Sequence, residues 1–453
     1  MDTFSFSNSW LFILFGLPTW ALVDGTWASL SQLAEHLPEG YNISAYLILS
    51  LTLGNIFPIL IGYIMEKSHS QILLVRLIYF ILVTGFITGI LMGIVWEYSV
   101  TISGTAISLP LMLLFFIVGA CSSSSNVTHY MYVSTYLPRN TTDLGTGMGV
   151  GSMISGILGI LQGVWLINYG FSTTIYYITL SLLYLPAMLS FYRLKTSKSN
   201  DMTESKKIRE SASLIANLES NPFSSFQESS SSSVSDIQFV SKENLLKEKY
   251  QSFFTSYFPI LLLQLTNSAL GYGFVPALIS YACGKFPNAN TILLFSTGLS
   301  AIIDPCFRFF TNYYRFRTFQ QLLIASAVLV GLALGLIICS SLSPSSSFYT
   351  NNNGCLPVLC YISFNSLFGF TNISIFRYFK EEAILVNLTT ASSTVRHQPQ
   401  KANDLNAHGD TEEKEESLDY RVQHAYRYIG IASQAGALLG SILAFSLVVS
   451  SSL

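Results

Sequence analysis

Eleven stretches of the chain stay apolar long enough to cross a hydrocarbon core, at about 10–30, 45–64, 72–96, 107–133, 143–166, 173–192, 252–280, 290–310, 318–342, 354–378 and 425–449. Two segments break this rhythm. Residues 193–250 are Ser-rich, with an unbroken run from Ser229 to Ser233, and 379–424 carry mixed charge around Glu412-Glu413-Lys414-Glu415-Glu416. Neither has enough apolar surface to offset the entropy of ordering, so both read as disordered cytoplasmic loops. The first divides the chain into an N-terminal six-helix bundle, 1–192, and a C-terminal five-helix bundle, 251–453. That is the layout of a carrier built from two helical halves.

The pattern therefore predicts an all-α polytopic membrane protein with 11 transmembrane helices arranged 6+5. Composition agrees: 50% hydrophobic and 11% charged residues describe a chain whose main solvent is lipid. Charge then orients it. When the spans are threaded alternately, 22 of the 23 Lys and Arg residues fall on one side, and Lys285 alone falls on the other. The positive-inside bias puts the N-terminus inside and the C-terminus outside. A net charge of −2 argues against nucleic acid as a partner. No Lys or Arg precedes the first span, which reads as a retained helix and not a signal peptide.

Cys121, Cys306 and Cys360 read as small apolar residues within helices, while Cys283, Cys339 and Cys355 map to the outer side, where a bridge between two of them is chemically allowed. Asn42-Ile43-Ser44 forms a glycosylation acceptor in an outer connection. Gly147, Gly151, Ser155, Gly159 and Gly163 recur every fourth residue, giving the fifth span a bare face for close helix packing; Gly436 and Gly440 repeat the device in the last span.

Polar side chains within the spans are costly, and they fall into stripes. Trp20, Asp24 and Trp27 share one face of the first helix, just beyond Pro18, which should bend it. Ser122, Asn126 and His129 share a face of the fourth. Gln264 and Asn267 precede Gly271, Gly273 and Pro276, which mark a weakened seventh helix. Tyr361, Asn365, Phe368 and Asn372 line the tenth, and Gln434 stands among small residues in the eleventh. Either these groups tie helices together or they line a central cavity suited to a neutral, flat, many-hydroxyl solute. Asp24 is the candidate for accepting a substrate hydrogen bond or carrying a proton. Asp304 and Arg308, one turn apart, read as an ion pair, and His129 reads as structural. There is no HExxH, GxSxG or phosphate loop, so no enzyme and no cofactor is implied.

Specific wording goes further. Trp20-Ala21-Leu22-Val23-Asp24-Gly25-Thr26-Trp27, then Leu37-Pro38-Glu39-Gly40-Tyr41 and Gly54-Asn55, resembles the opening of the eukaryotic riboflavin transporter family, solute carrier family 52. Ser125-Asn126-Val127-Thr128, Leu265-Thr266-Asn267, Ser280-Tyr281-Ala282-Cys283 and Gln434-Ala435-Gly436 extend the likeness into both halves, and the wording is most similar to a nematode member. The resemblance implies a major-facilitator-like or equilibrative-nucleoside-transporter-like fold, a monomer in the plasma membrane, and riboflavin as the transported partner. It implies that Trp20, Trp27, Tyr272, Tyr281 or Phe368 stack on the flavin rings, and that Asn126, Asn267, Asn365 or Gln434 read its imide or hydroxyls. Thr128 joins them as a substrate contact, and Glu39 is placed at an outer gate. A nucleoside carrier and a non-transporting receptor remain the alternatives.

Overall fold

The computed structural model describes residues 3–197 except 69, 103, 134–135, 137 and 170–171, then 257–341 except 312 and 315, then 354–396 and 409–451. Ten helices among the described residues are long and apolar enough to cross a membrane, and there are eleven once the bent pair at the start is taken as one span. That bent pair is the first span, Thr3–Gly16 followed by Pro18–Ala28, inclined at 40°. Pro18 has no N–H to continue the ladder, so the bend falls where its position predicts.

The seventh span is weakened where its glycines predict: it runs as a helix to residue 269, passes through a π-helical turn at Leu270–Phe274, and resumes as Val275–Cys283 with Pro276 in its first turn. The second span breaks at Gly54-Asn55, between Ile43–Leu53 and Ile56–Ser68. A Cβ on Gly54 would meet the backbone of Gly119 at 2.9 Å, so the glycine lets the second and fourth helices touch backbone to backbone.

Charge misleads at the connection between the last two spans. The tenth helix continues to Arg396 and the eleventh begins at Gly409, so 379–396 and 409–424, expected as loop, are helical. Each stretch continues a helix that its span has already nucleated, and extending such a helix adds a hydrogen bond for each residue fixed, with no new nucleus. Residues 198–256 and 397–408 lie outside the described residues. A small antiparallel ribbon, Val100–Ile102 with Thr105–Ile107, interrupts the otherwise helical fold in one connection and turns at Gly104, whose φ is 85°.

The fifth helix, Pro138–Tyr169, explains how the bundle closes. Its stripe packs as expected. Cβ atoms on Gly147 and Gly151 would strike the Ile13 and Leu17 carbonyls, Ser155 donates to the Ala21 carbonyl at 2.8 Å, and Gly159 lies against Ala28, all in the first span. A second bare face, Gly149, Gly156 and Gly163, meets Pro305, Gly298 and Leu294 of the eighth helix in the other half. Gly436 and Gly440 seat the eleventh helix on the Leu265 and Ala269 carbonyls of the seventh. The halves thus touch along two seams, fifth against eighth and second against both seventh and eleventh. Among the described residues no disulfide joins Cys283, Cys339 and Cys355, so the bridge allowed among them is not formed, and Cys306 is exposed.

Candidate functional site

Beyond the Pro18 bend, the first span points its polar face at the other helices of its half and at the seam. The Trp20 indole Nε1 donates to Asn126 Oδ1 at 3.2 Å, joining the first and fourth spans. Asp24 accepts a hydrogen bond from Ser152 Oγ of the fifth. Trp27 meets Phe115 edge-on, with centroids 6.2 Å apart. Trp20, Asp24, Trp27, Asn126 and Ser152 are all only half-buried, although most of their neighbours are buried. Behind them, Tyr176 fixes the first span by lying between the Gly25 carbonyl at 3.0 Å and the Ser155 carbonyl at 2.9 Å.

The facing wall comes from the other half. The π turn swings Tyr272 edge-on to Phe368 at 4.8 Å, where its hydroxyl accepts from Asn372 Nδ2 at 3.1 Å. Gly271 is the residue that admits the Phe368 ring, since a Cβ there would collide with it. Asp304 and Arg308 form the ion pair that their spacing predicts, Nε to Oδ2 at 2.7 Å. Arg308 interacts electrostatically with Asp24 and Tyr272, and Asp24 also acts on Tyr361, so the charges of both halves share one region. Asn365 belongs to this wall but spends its amide N–H on the Tyr361 carbonyl at 3.0 Å.

Several expected site residues are used elsewhere. Asn267 is fully buried and donates to Ser326 Oγ of the ninth helix at 2.8 Å, a tie within one half. Thr128 turns back on the Ser124 carbonyl at 3.1 Å, as hydroxyls in apolar helices commonly do. Tyr281 sits at the far end of its helix beneath the Lys285 ammonium, 5.2 Å from the ring centre. Gln434 is half-buried in the eleventh helix, beside Ser433, whose hydroxyl bonds to Ser268 of the seventh. His129 is structural, as expected: its Nδ1 donates to the Ser125 carbonyl at 2.9 Å and its ring packs edge-on against Phe15.

Glu39, expected at an outer gate, is bonded within its own half. Both its oxygens bind Ser108, Oε1 to the backbone N–H at 2.6 Å and Oε2 to the hydroxyl at 2.8 Å, so it staples two connections of the same half. The latch between the halves lies beside it. Tyr41 donates to Asn290 Oδ1 at 2.6 Å, Asn290 donates to Glu35 Oε2 at 3.0 Å, Ser44 donates to the Ala277 carbonyl at 2.6 Å, and Ser280 binds both the Tyr41 carbonyl and Ser44 Oγ. All of these lie on the charge-poor face. Asn42 is half-buried next to this latch.

Sequence reasoning missed Ser152, and it confined Arg308 to a local ion pair. A serine between two glycine faces, and a Pro305 inside the eighth helix flanked by opposite charges, are the signals that mark them.

Two bundles of membrane helices, meeting along two seams with polar and aromatic side chains between them, define a multi-pass transporter of major-facilitator-like form. A nucleoside transporter of known structure, NupG, matches this arrangement over 97% of the chain and 91% of its own length, with TM-score 0.53 and 12% identity, a likeness of fold alone. The family model of solute carrier family 52, riboflavin transporter, matches residues 5–169 and 165–391, and the chain belongs to that family. It is 25% identical over 375 residues to riboflavin transporter rft-1 of Caenorhabditis elegans, covering 78% of this chain and 83% of that protein. It is 24% identical over 155 residues to riboflavin transporter 2 of Salmo salar, and the chain spans about a third of the length of the first curated relatives it matches.

Proposed function

We propose that this protein carries riboflavin into the cell across the plasma membrane by alternating access of its six-span and five-span halves. What supports the reading is that Asp24, on the helix face it shares with Trp20 and Trp27, interacts electrostatically with Arg308, Tyr272 and Tyr361 of the other half, in a chain of this family. A flavin presents a wide π face and an imide edge with donor and acceptors, and its ribityl chain adds hydroxyls without charge. Indole and phenol rings suit the first, and amides and carboxylates suit the others. The site's charges are largely self-compensating, with Arg308 already paired to Asp304, which favours an electroneutral ligand.

Positive-inside bias makes the latched, charge-poor face the outer one, so this conformation is closed to the outside. Hydrogen bonds of this kind are worth about 1 kcal/mol each on balance, and somewhat more for the one to the Glu35 carboxylate, so the latch favours the closed state by only a few kcal/mol. Substrate binding can shift such an equilibrium, and the two halves rock about the site as it does. Asn42, beside the latch, is the glycosylation acceptor in this orientation.

Reconstituted vesicles test the reading. Labelled riboflavin should enter and should be displaced by unlabelled riboflavin but not by excess uridine or adenosine. Absence of flux, or full competition by nucleosides, would contradict it.

A further inference from the structure

Arg308 lies two residues before the end of its helix, where a charged side chain could reach water at the charge-rich face. It turns the other way. Helical side chains lean toward the N-terminus, and the bond to Asp304, four residues earlier, draws the guanidinium toward the middle of the bilayer. An ion pair that only joined two turns of one helix would gain little for the desolvation it requires.

The packing around the pair is built to hold it there. A Cβ on Gly369 of the tenth helix would collide with Asp304 Oδ1 and would meet Arg308 Nε at 3.0 Å and Cγ at 3.1 Å, so glycine leaves the groove in which the pair rests. Phe368, the preceding residue, is the ring that meets Tyr272. Pro305, beside Asp304, abuts Gly149 across the seam, one turn before Ser152, which holds Asp24. Arg308 and Asp24 therefore approach the same space from opposite halves. Nε carries the bond to Asp304, yet 36% of the Arg308 side chain remains accessible, and a guanidinium has five N–H donors.

We propose that Arg308 is a substrate-binding residue whose guanidinium donates to a carbonyl oxygen of the flavin ring and the ring nitrogen acceptor beside it, with Asp304 and Gly369 fixing its orientation and Asp24 facing the same ligand from the other half. This rests on the riboflavin reading above. A planar fork of donors matches two adjacent acceptors, and the C4 carbonyl oxygen with the neighbouring N5 is such a pair in both riboflavin and lumichrome; a charge-assisted hydrogen bond to a ligand is worth roughly a tenfold to a hundredfold in affinity.

The test uses full-length protein in vesicles, with riboflavin as substrate and lumichrome, the ring system without the ribityl chain, as inhibitor. Arg308→Lys keeps the charge and loses the fork. The double variant Asp304→Asn with Arg308→Gln removes the pair and leaves no charge unpaired, so it decides the matter if the Lys variant fails to assemble. Both should raise the half-saturating riboflavin concentration by about tenfold or more, and should weaken inhibition by lumichrome by a similar factor. Wild-type half-saturation in either variant overturns the proposal, as does weakened riboflavin binding with lumichrome inhibition unchanged. Absence of flux in wild-type protein would instead remove the riboflavin reading and this assignment with it, whereas normal wild-type flux with indifferent variants removes the assignment alone.

Discussion

Buried amides meet different fates in the two halves. In the six-span half, Asn126 bonds to the Trp20 indole and stays half-buried at the edge of the polar region. In the five-span half, Asn267 is bonded to Ser326, and Gln264 donates to Asn372 at 2.7 Å and to Ser268 at 3.0 Å, all fully or almost fully buried. In the proposed function the same side-chain chemistry serves recognition in one place, and it serves helix association in the other. What separates them is the neighbour on the facing helix. Small hydroxyls one helix away capture an amide, while an indole with its own face to offer leaves it at the surface of the site.

The contrast is most severely broken by removing the packing on which both halves depend. Gly151→Leu drives a side chain into the Leu17 carbonyl, and Gly440→Leu does the same at Ala269. Each should cost about 3 kcal/mol or more, read as loss of membrane yield and of a cooperative thermal transition. Next come the residues assigned to recognition. Trp20→Ala and Asp24→Asn should each lower riboflavin uptake at least about tenfold at unchanged surface level, since each removes a ring or a charge from the space between halves. Retained uptake in both would move the site elsewhere.

Asn267→Ala sharpens the comparison from the other side. It should lower thermal stability by about 1 kcal/mol, the usual scale of an interhelical hydrogen bond in a membrane, and leave the half-saturating concentration unaltered. A raised half-saturating concentration with intact stability would return Asn267 to the site. The smallest effect is expected at the latch. Tyr41→Phe removes the bond to Asn290, worth about 1 kcal/mol, and should speed modification of the buried native Cys283 by an impermeant thiol reagent a few-fold, read by mass spectrometry.

Much of this was legible in the chain. Hydropathy locates the spans because backbone polar groups must be satisfied within lipid, and Pro18, the fifth-span glycines and Gly271 with Gly273 each act as their chemistry dictates. The helical extensions at 379–396 and 409–424 were hidden because composition reports the propensity of a segment to fold alone, not its propensity to continue a helix already formed. Within the site, spacing along one helix placed Trp20, Asp24 and Trp27 together. It carries no information about which helix faces which, and so Thr128, Tyr281 and Asn267 were grouped with residues they do not meet. Arg308 was understated for the same reason, because its partner in sequence, Asp304, is visible and Asp24 across the seam is not.

The central claim is that groups from both halves bind one ligand between them. A density map of the protein saturated with riboflavin tests it most directly. The account predicts the flavin ring between Trp20 and the Tyr272–Phe368 pair, with Asn126 and Arg308 within hydrogen-bonding distance of its polar edge. Flavin density enclosed within a single half, or on the lipid-facing surface away from Asp24 and Arg308, would contradict it.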